Sequence, residues 1–342
     1  MKLRAGVFGC GPDGLWSAAQ MTGLRDCELA AAGDPDAVAL AAFAAATGVG
    51  LGTATYEDLL ATGIDFVVLA GDSRHRVEQV RLAAEQSVHC LLHTPMATTA
   101  ADARAMQASC EEYQVLLGLL VRPQGDPVFE QLRQMIAADW LGGIVHVQCL
   151  AGDDDLLRHP PTAGDPRLSA PTAAHPLLQL GSHHVHLASW LTGRVPISTS
   201  AQVCRGFLPL PADSVVATVL LRGGICCTFA ASHLLQAEQF AIHGTDGYVR
   251  LADDRIVLRG HTEFRGQVFD YAEPGRELTL SRSKLEPQLR HESAAVELHG
   301  RFARAIDDRD DFPCSGEQGV ADLVLIDAIA RAMATGNTTT IV

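Results

Sequence analysis

Basic residues are scarce in this sequence, and lysine is almost absent. The 342 residues include 26 Lys and Arg against 40 Asp and Glu, for a formal net charge of −14 at pH 7. Nucleic-acid-binding proteins carry basic stripes that neutralise phosphates and release counterions, and this composition supplies none. We therefore predict no nucleic-acid partner. Lysine occurs only at Lys2 and Lys284, so chemistry that needs an ammonium group has few candidates.

Two further absences concern location. The nine cysteines include no C-x-x-C pair and are isolated apart from Cys226-Cys227, which favours reduced core residues over a disulfide framework. The first residues, MKLRAGVFGC, lead directly into a short apolar segment, without the long apolar region of a secretion signal or of a membrane span. These features predict a soluble, cytoplasmic protein with no membrane partner.

Short apolar runs alternate with helical patterns over residues 1–122. Runs such as ELAAAGD and DFVVLAG show no polar alternation, as expected of strands that are buried on both faces. Strand–helix repeats require parallel pairing because each helix carries the chain back across a sheet face. We predict an α/β domain with a parallel sheet over residues 1–122.

From residue 123 the pattern changes to extended segments such as SVVATVLL and QFAIHG. The turns Gly223-Gly224, Asp246-Gly247 and Asp253-Asp254 predict hairpins between neighbouring strands. A Pro-, Asp- and Gly-rich stretch at 153–176 predicts a long loop before a helix over 176–191. We predict a second, α+β domain over residues 123–342, with a large and mostly antiparallel sheet.

A glycine-rich turn joins the first predicted strand to the first predicted helix. Gly9, Gly11 and Gly14 follow the strand AGVF, and Asp34 stands at the end of the second strand. The glycines permit a tight turn and close approach of the backbone to a pyrophosphate, and the helix N-terminus favours the anion. The acid accepts hydrogen bonds from the adenosine ribose and repels a 2'-phosphate. The pattern predicts a Rossmann domain that binds NAD rather than NADP.

The remaining positions of this turn are Cys10, Pro12 and Asp13. Pro12 has no N–H to donate to a phosphate, and Asp13 places negative charge close to the expected pyrophosphate. An alternative interpretation is that Asp34-Pro35 only caps the following helix, with Asp at the N-cap and Pro at the first helical position. Weakened or lost dinucleotide binding therefore remains an alternative for this turn.

Several segments together resemble the Gfo/Idh/MocA family of oxidoreductases. They are VFGCGPDG, AAGDPD, TATYEDLLATGIDFVVLAGDSRHRVEQVRLAAEQSVHCLLHTP, GLLVRPQGDP, QLGSHHVHLASWLTG, AIHGTDGYVRL and SGEQGVADLVLIDAIARAMATG, and they cover nearly the whole chain. The resemblance implies NAD(P)-dependent oxidation or reduction of a carbinol or carbonyl carbon in a sugar, inositol or related compound. It also implies a homodimer or homotetramer formed through the sheet of the second domain.

Two of the family's motifs fall in the first domain. The usual Glu-Lys-Pro corresponds to His93-Thr94-Pro95, so threonine replaces the lysine that contacts substrate and nicotinamide. The usual Pro-Asn-x-x-His corresponds to the segment from Gly71 to His75, which keeps the histidine. By resemblance, Gly71, His75, His93 and Pro95 join the glycine-turn residues and Asp34 as cofactor-binding positions, and Thr94 is a catalytic position.

The family's Asp-x-Gly-x-His-x-x-Asp motif falls in the second domain as Gln179-x-Gly181-x-His183-x-x-His186. It keeps the glycine and the histidine but loses both acids. By resemblance, Gln179, His183 and His186 are catalytic positions. Helical geometry places His183 and His186 on one face, with His184 turned away.

His183 is the remaining candidate for the acid/base residue. Oxidation of an alcohol needs a base that takes the hydroxyl proton, and imidazole titrates in the appropriate range. A developing alkoxide loses electrostatic support without the lysine, and the imidazolium loses its partner without the acid. The leading hypothesis is an NAD-dependent oxidoreductase that acts on a sugar-like polyol or its keto form, in an altered site.

Two alternatives remain open. One is a catalytically inactive paralogue that binds a nucleotide or sugar ligand or serves as a structural protein, and the missing lysine and acids support it. The other is metal-assisted, non-redox chemistry at His183 and His186 with His93 or His175, because neutral imidazoles are good zinc ligands. Histidines three positions apart without a placed acid are weak evidence for a site, so we predict no metal ligand.

Overall fold

The computed structural model describes residues 2–71, 73–125, 127–161, 175–252, 255–260, 263–264, 267–268, 278–281, 298–309 and 311–341. Most of the predicted loop at 153–176, the Asp253-Asp254 turn and Lys284 lie outside these residues.

Two compact units make up the chain. One comprises Met1–Gly125 with Val296–Leu323, and the other comprises Asp126–Ala295 with Val324–Val342. The domain boundary after residue 122 stays a prediction. The later segment Val296–Leu323 belongs to the first unit because most of its contacts are with that unit.

The first unit contains a six-stranded parallel sheet in the order β3-β2-β1-β4-β5-β6. Its strands are β1 (Leu3–Phe8), β2 (Cys27–Gly33), β3 (Gly52–Thr53), β4 (Phe66–Leu69), β5 (His89–His93) and β6 (Leu117–Leu120). The central strands are buried on both faces, as their unbroken apolar sequences require; Val67, Val68, Leu91 and Leu92 are fully buried. This confirms the predicted α/β domain with a parallel sheet.

Helices connect successive strands of this sheet. They are α1 (Pro12–Met21), α2 (Ala37–Thr47), α3 (Tyr56–Leu60), α4 (Arg76–Glu85) and α5 (Ala100–Glu112), with 3-10 turns at Ser73–His75 and Arg122–Gly125. A later helix, Leu298–Ile306, contacts α1 and β2. The connections bring the chain back to the same edge of the sheet each time, so the residues after each strand's carboxyl end are neighbours.

The second unit contains a mixed, mostly antiparallel sheet. In the described part of the chain it has nine strands, in the order β16-β13-β12-β11-β7-β10-β9-β8-β17. They are β7 (Ile144–Gly152), β8 (Pro196–Cys204), β9 (Ser214–Leu221), β10 (Cys226–Ser232), β11 (Ala237–Gly244), β12 (Tyr248–Ala252), β13 (Arg255–Arg259), β16 (Leu278–Ser281) and β17 (Thr339–Thr340). A separate pair is formed by β14 (Glu263–Phe264) and β15 (Gln267–Val268). Every pairing in the large sheet is antiparallel except β7 with β10, which confirms the predicted α+β architecture.

The predicted hairpins at two of the turns are observed. Gly223 and Gly224 join β9 to β10 with φ of +95° and +87°, a conformation that glycine adopts without steric cost. The Asp246-Gly247 turn joins β11 to β12. The remaining helices are α6 (Pro127–Ala137), α7 (Asp155–Arg158), α8 (Pro176–Leu180), α9 (Ser182–Thr192), α10 (Leu298–Ile306, introduced above) and α11 (Gly316–Thr335).

The helix predicted over 176–191 is divided at Gly181. Gly181 ends α8 and precedes α9, and a Cβ built on it would lie 2.6 Å from a side-chain carbon of Leu177. Any larger residue at position 181 would therefore force the Leu177 side chain to shift within the bend. The helix α9 contacts α6, β7 and β10, which fixes the position of the histidines at its start. Among the described residues, no helix is long and apolar enough to cross a membrane.

Candidate functional site

The glycine-rich turn has the geometry that each glycine predicts. Gly9 has φ of +100°, and a Cβ on it would lie 2.5 Å from the backbone nitrogen of Gly71. A Cβ on Gly14 would lie 2.1 Å from the carbonyl oxygen of Gly9, so α1 and β1 could not pack as they do. By contrast, a Cβ on Gly11 would meet no atom within 4 Å. The space beside Gly11 is open, and the turn fits the approach of a pyrophosphate to the start of α1.

Asp34 ties this turn to the end of β2. Its Oδ2 accepts a hydrogen bond from the backbone N–H of Cys10 at 2.7 Å, and its Oδ1 accepts one from Asp36 at 2.8 Å. The interpretation that Asp34 caps the next helix is wrong: the N-cap of α2 is Asp36, whose carboxylate accepts from Val38 at 2.8 Å. Each oxygen of Asp34 keeps lone-pair capacity for a ribose hydroxyl.

Cys10 adds no charge beside the turn. Its thiol is buried and lies 3.7 Å from the carbonyl oxygen of Gly33. Burial, followed by the carboxylate of Asp34, raises the pKa of the Cys10 thiol to about 11. The thiol therefore stays protonated at neutral pH.

The negative charge of Asp13, beside the turn, is paired with the guanidinium of Arg122. Its Oδ1 lies 2.5 Å from Nη2 of Arg122, and the guanidinium carbon of Arg122 lies 4.5 Å from the centre of the Trp16 ring. The arginine therefore offsets the unfavourable charge of Asp13 and places a cation beside the start of α1. Pro12 occupies the first helical position, where a missing N–H costs the helix nothing.

His93 stands at the end of β5 as a neutral, buried ring. Its Nε2 lies 2.7 Å from Oγ of Ser17, and its Nδ1 lies 3.8 Å from Oδ1 of Asp13. Burial, followed by the positive charges of Arg76 and Arg122, lowers the pKa of the His93 imidazole to about 3. His93 is therefore a group without charge at pH 7.

A second neutral histidine accompanies it. The ring of His299, from α10, lies 5.6 Å from that of Trp16, which in turn lies 5.7 Å from the ring of His93. Burial, followed by the neighbouring His93, lowers the pKa of His299 to about 3. Trp16 thus packs against two histidines that remain neutral at pH 7.

Arg76 was not identified from the sequence, yet it connects Gly71 to the segment His93-Thr94-Pro95. The side chain is buried, and its Nη1 donates to the carbonyl oxygens of His93, at 2.5 Å, and of Pro95. Its Nη2 donates to the carbonyl oxygen of Gly71 at 3.0 Å. Thr94 lies on the segment that this arginine holds.

The predicted cofactor-binding residues of the first unit are thus largely brought together. Gly9 approaches Gly71, Asp34 bonds Cys10, and His93 and Pro95 are held to Gly71 through one guanidinium. His75 is exposed at the start of α4. The roles of these residues stay predictions, although their neighbourhood follows from the strand order.

In the second unit, His183 lies at the start of α9, beside a carboxylate from another element. Its Nε2 lies 3.7 Å from Oε1 of Glu238, at the start of β11. Its ring centre lies 4.1 Å from that of His184. The expectation that His184 is turned away is wrong, because imidazoles on consecutive residues of a first helical turn can lean together even though their Cβ atoms diverge. His186 is buried and Gln179 is exposed.

The electrostatics of this histidine pair are set by burial and by Glu238. Burial, followed by His183, lowers the pKa of His184 to about 3, against the opposing charge of Glu238. The His183 imidazole keeps the pKa of the Glu238 carboxyl below its usual value. At neutral pH the group therefore comprises a carboxylate and a neutral, buried His184. Glu238 is 55 residues from His183 in the sequence, and no local motif indicates the pairing.

Comparison with known proteins agrees with this arrangement. Residues 3–120 match the model for the Gfo/Idh/MocA oxidoreductase family's NAD-binding Rossmann fold, and residues 129–250 match the model for the family's C-terminal domain. The first match confirms the prediction of an NAD-binding domain.

Individual proteins show the same likeness. The rhizopine catabolism protein MocA of Rhizobium meliloti is 28% identical over 63% of this chain and 66% of its own length, just under two thirds. D-xylose 1-dehydrogenase (NADP(+)) 2 of Haloferax volcanii is 24% identical over 97% of both chains. An oxidoreductase from Agrobacterium radiobacter, solved with NAD+, L-tartaric acid and magnesium, has a TM-score of 0.80 at 19% identity and covers 100% of this chain and 99% of that one. The chain belongs to the Gfo/Idh/MocA family of NAD(P)-binding oxidoreductases.

Proposed function

We propose that this protein is an NAD-dependent oxidoreductase that interconverts a sugar-like polyol and its keto form. The observation that carries the proposal is the intact dinucleotide turn, with open space at Gly11 and with Asp34 free of the helix-capping role. A relative named as a D-xylose dehydrogenase supports the substrate class.

The residues that would hold the cofactor lie at the carboxyl ends of β1, β2 and β4. Backbone N–H groups at the start of α1 would receive the pyrophosphate, and Asp34 would accept from the adenosine ribose. Its charge disfavours the 2'-phosphate of NADP. When bound, NAD supplies the acceptor or donor of the hydride that the carbon loses or gains.

His183 acts as the acid/base residue in this proposal. When an alcohol is oxidised, its hydroxyl proton must be taken as the carbonyl forms. Because Nε2 of His183 faces Glu238 at 3.7 Å, Nε2–H can be held toward the carboxylate while Nδ1 takes the proton. The Glu238 carboxylate then stabilises the imidazolium, which is the task of the acid that this chain lacks at Gln179 and His186.

The altered site predicts slow chemistry. Thr94 replaces the family's lysine, and Lys2 is the only lysine within the described residues. A developing alkoxide therefore lacks a nearby ammonium, and losses of one such electrostatic contact commonly cost about 10²–10³ in kcat. The same observation favours a second candidate function, a paralogue that binds the dinucleotide without turning over substrate.

Assembly and location complete the proposal. We expect a homodimer or homotetramer formed through the exposed face of the large sheet, where Val216 and Leu220 of β9 are 49% and 39% exposed. Exposed apolar side chains on a sheet face are typical of an interface. Nine cysteines without a disulfide favour a reducing, cytoplasmic location.

Calorimetric titration with NAD, NADH and NADP tests the cofactor role. We expect NAD to bind with a dissociation constant in the micromolar range, and Asp34→Ala to weaken it about 10- to 100-fold because a charge-assisted hydrogen bond contributes about 1.5–3 kcal/mol. The matched control is Asp36→Ala, which removes a neighbouring carboxylate that caps α2 and should leave affinity near wild type.

A polyol screen then separates the two candidate functions. Turnover that His183→Ala abolishes and Glu238→Gln reduces supports the oxidoreductase. Dinucleotide binding without turnover of any polyol supports the inactive paralogue. If no dinucleotide binds, both candidates are wrong.

A further inference from the structure

Three potential metal ligands converge where α9 meets the start of β11. His183, His184 and Glu238 each offer one ligand atom, and these atoms all lie within 4.8 Å of one another. Two of the residues are consecutive on the helix, and the third comes from the sheet. We infer that His183, His184 and Glu238 form a binding site for a divalent transition-metal ion of the zinc class.

His184 provides the second observation. It is 2% exposed, and its Nδ1 has no hydrogen-bond partner within the described part of the chain. Buried polar atoms are nearly always satisfied by protein, water or an ion, and one left without a partner calls for a specific explanation. Coordination gives the imidazole of His184 the partner that the neighbouring side chains do not.

The distances are close to those that a metal requires. Zinc–nitrogen bonds are about 2.0–2.1 Å long, so the ligand atoms of a tetrahedral site lie about 3.3 Å apart. The atoms of His183 and Glu238 are already at 3.7 Å. The side chains of the half-buried His183 and the exposed Glu238 can rotate to shorten this distance to the required value, whereas the buried His184 ring is held in place by its surroundings.

The donor set indicates which metals bind. Two imidazoles and a carboxylate suit Zn²⁺, Co²⁺ and related ions, whereas Mg²⁺ and Ca²⁺ prefer oxygen ligands alone. Three protein ligands, one of them exposed, leave a fourth position open to water, as in exchangeable rather than closed structural sites. This site departs from the prediction of no metal ligand, and it differs from the alternative weighed from the sequence because His184 and Glu238 accompany His183.

Metal binding and the acid/base role exclude each other at His183. A metal on Nε2 would take the place of the proton that Nε2 directs at Glu238, and Nδ1 would then carry the proton of the neutral ring. The metal-free protein is therefore the form to which the proposed oxidoreductase activity belongs. This consequence alone rests on the proposed function: Zn²⁺ should inhibit polyol turnover. The site itself does not depend on that function.

The test is titration of Zn²⁺ into metal-free, full-length protein in competition with a chromophoric chelator. We expect one equivalent to bind more tightly than about 1 μM. Glu238→Gln and His184→Gln should each weaken binding more than about 100-fold, since loss of an outer-shell partner alone costs 10- to 100-fold. Co²⁺ should show the visible absorption of a four-coordinate site, and Mg²⁺ should not compete.

The matched control is His243→Gln, which removes a half-buried histidine from the same strand as Glu238. It should bind zinc as the wild type does. Glu238→Gln alters an exposed residue and is expected to fold, so it remains informative if His184→Gln does not. Zinc binding weaker than about 100 μM, or equal binding by wild type and Glu238→Gln, would overturn the inference. Dinucleotide titration of the same samples shows whether the proposed function fails independently.

Discussion

Acid should destabilise this protein through the two neutral histidines beside Trp16. The pKa values of His93 and His299 are lowered to about 3 in the folded state, chiefly by burial, whereas an unfolded histidine has a pKa of about 6.5. Because the folded pKa is depressed, the unfolded chain binds more protons at moderately acidic pH. The stabilisation is therefore complete above about pH 6.5 and is lost progressively as the pH falls toward 3.

The magnitude follows from these two values. Between pH 7 and pH 5, a group with an unfolded pKa of about 6.5 and a folded pKa of about 3 reduces the free energy of unfolding by about 2 kcal/mol, at 1.36 kcal/mol per pH unit. His93→Gln and His299→Gln remove one titrating group each. Each variant should therefore lose about 2 kcal/mol less than the wild type over this range.

Urea unfolding at pH 7 and pH 5, followed by tryptophan fluorescence and circular dichroism, measures this difference. The control is Ser17→Ala, which removes the hydrogen-bond partner of His93 at 2.7 Å but leaves the ring buried. It should lower stability at both pH values and keep the wild-type pH dependence. If His93→Gln and His299→Gln lose as much stability as the wild type between pH 7 and pH 5, the histidines are not neutral in the folded protein and the reasoning is refuted.

Two further predictions concern the dinucleotide turn. Gly14→Ala places a methyl group 2.1 Å from a backbone carbonyl oxygen and should lower both stability and NAD binding. Gly11→Ala places its methyl group in open space, so this variant should fold normally but bind NAD less tightly. Circular dichroism melting and calorimetry distinguish the two variants, and a Gly14→Ala protein that folds normally and binds NAD fully would contradict the packing argument. Arg122→Gln should weaken NAD binding about tenfold, because the negative charge of Asp13 is then no longer compensated. Adding Asp13→Asn should restore part of the lost affinity. If calorimetry shows unchanged affinity in the single variant, the ion pair lies away from the ligand.

The sequence predicted the elements whose signals are local. Continuous apolar runs indicated the parallel strands. Gly9 and Gly14 lie in the predicted turn, and Asp34 lies at the end of the second strand, because their spacing encodes one strand, one turn and one helix. The sequence could not decide which of two aspartates caps the N-terminus of α2. Asp34 and Asp36 are both suitable N-cap residues, and only the backbone path shows that Asp36 takes that role.

Contacts between distant segments could not be predicted. Arg76 holds His93 across 17 residues, and Glu238 meets His183 across 55. A single sequence carries no periodicity that links such positions, since their proximity follows from strand order and register. The burial of His184 could not be predicted for a similar reason. Helical spacing gives only the directions of the Cβ atoms, whereas the packing of α9 against the sheet determines which imidazole ring is buried.

The order of the parallel strands carries a consequence for how this site can change. Connections from β1 run through β2 to one side of the sheet, whereas those from β4 run through β5 to the other side. A crevice opens outside the carboxyl ends of the strands where the direction of winding reverses, and the loops of Gly9 and Gly71 meet at that point. The location for a ligand is therefore set by connectivity before any side chain is chosen. Substitutions at His93 or Thr94 would change the side chains that follow β5 without moving this crevice.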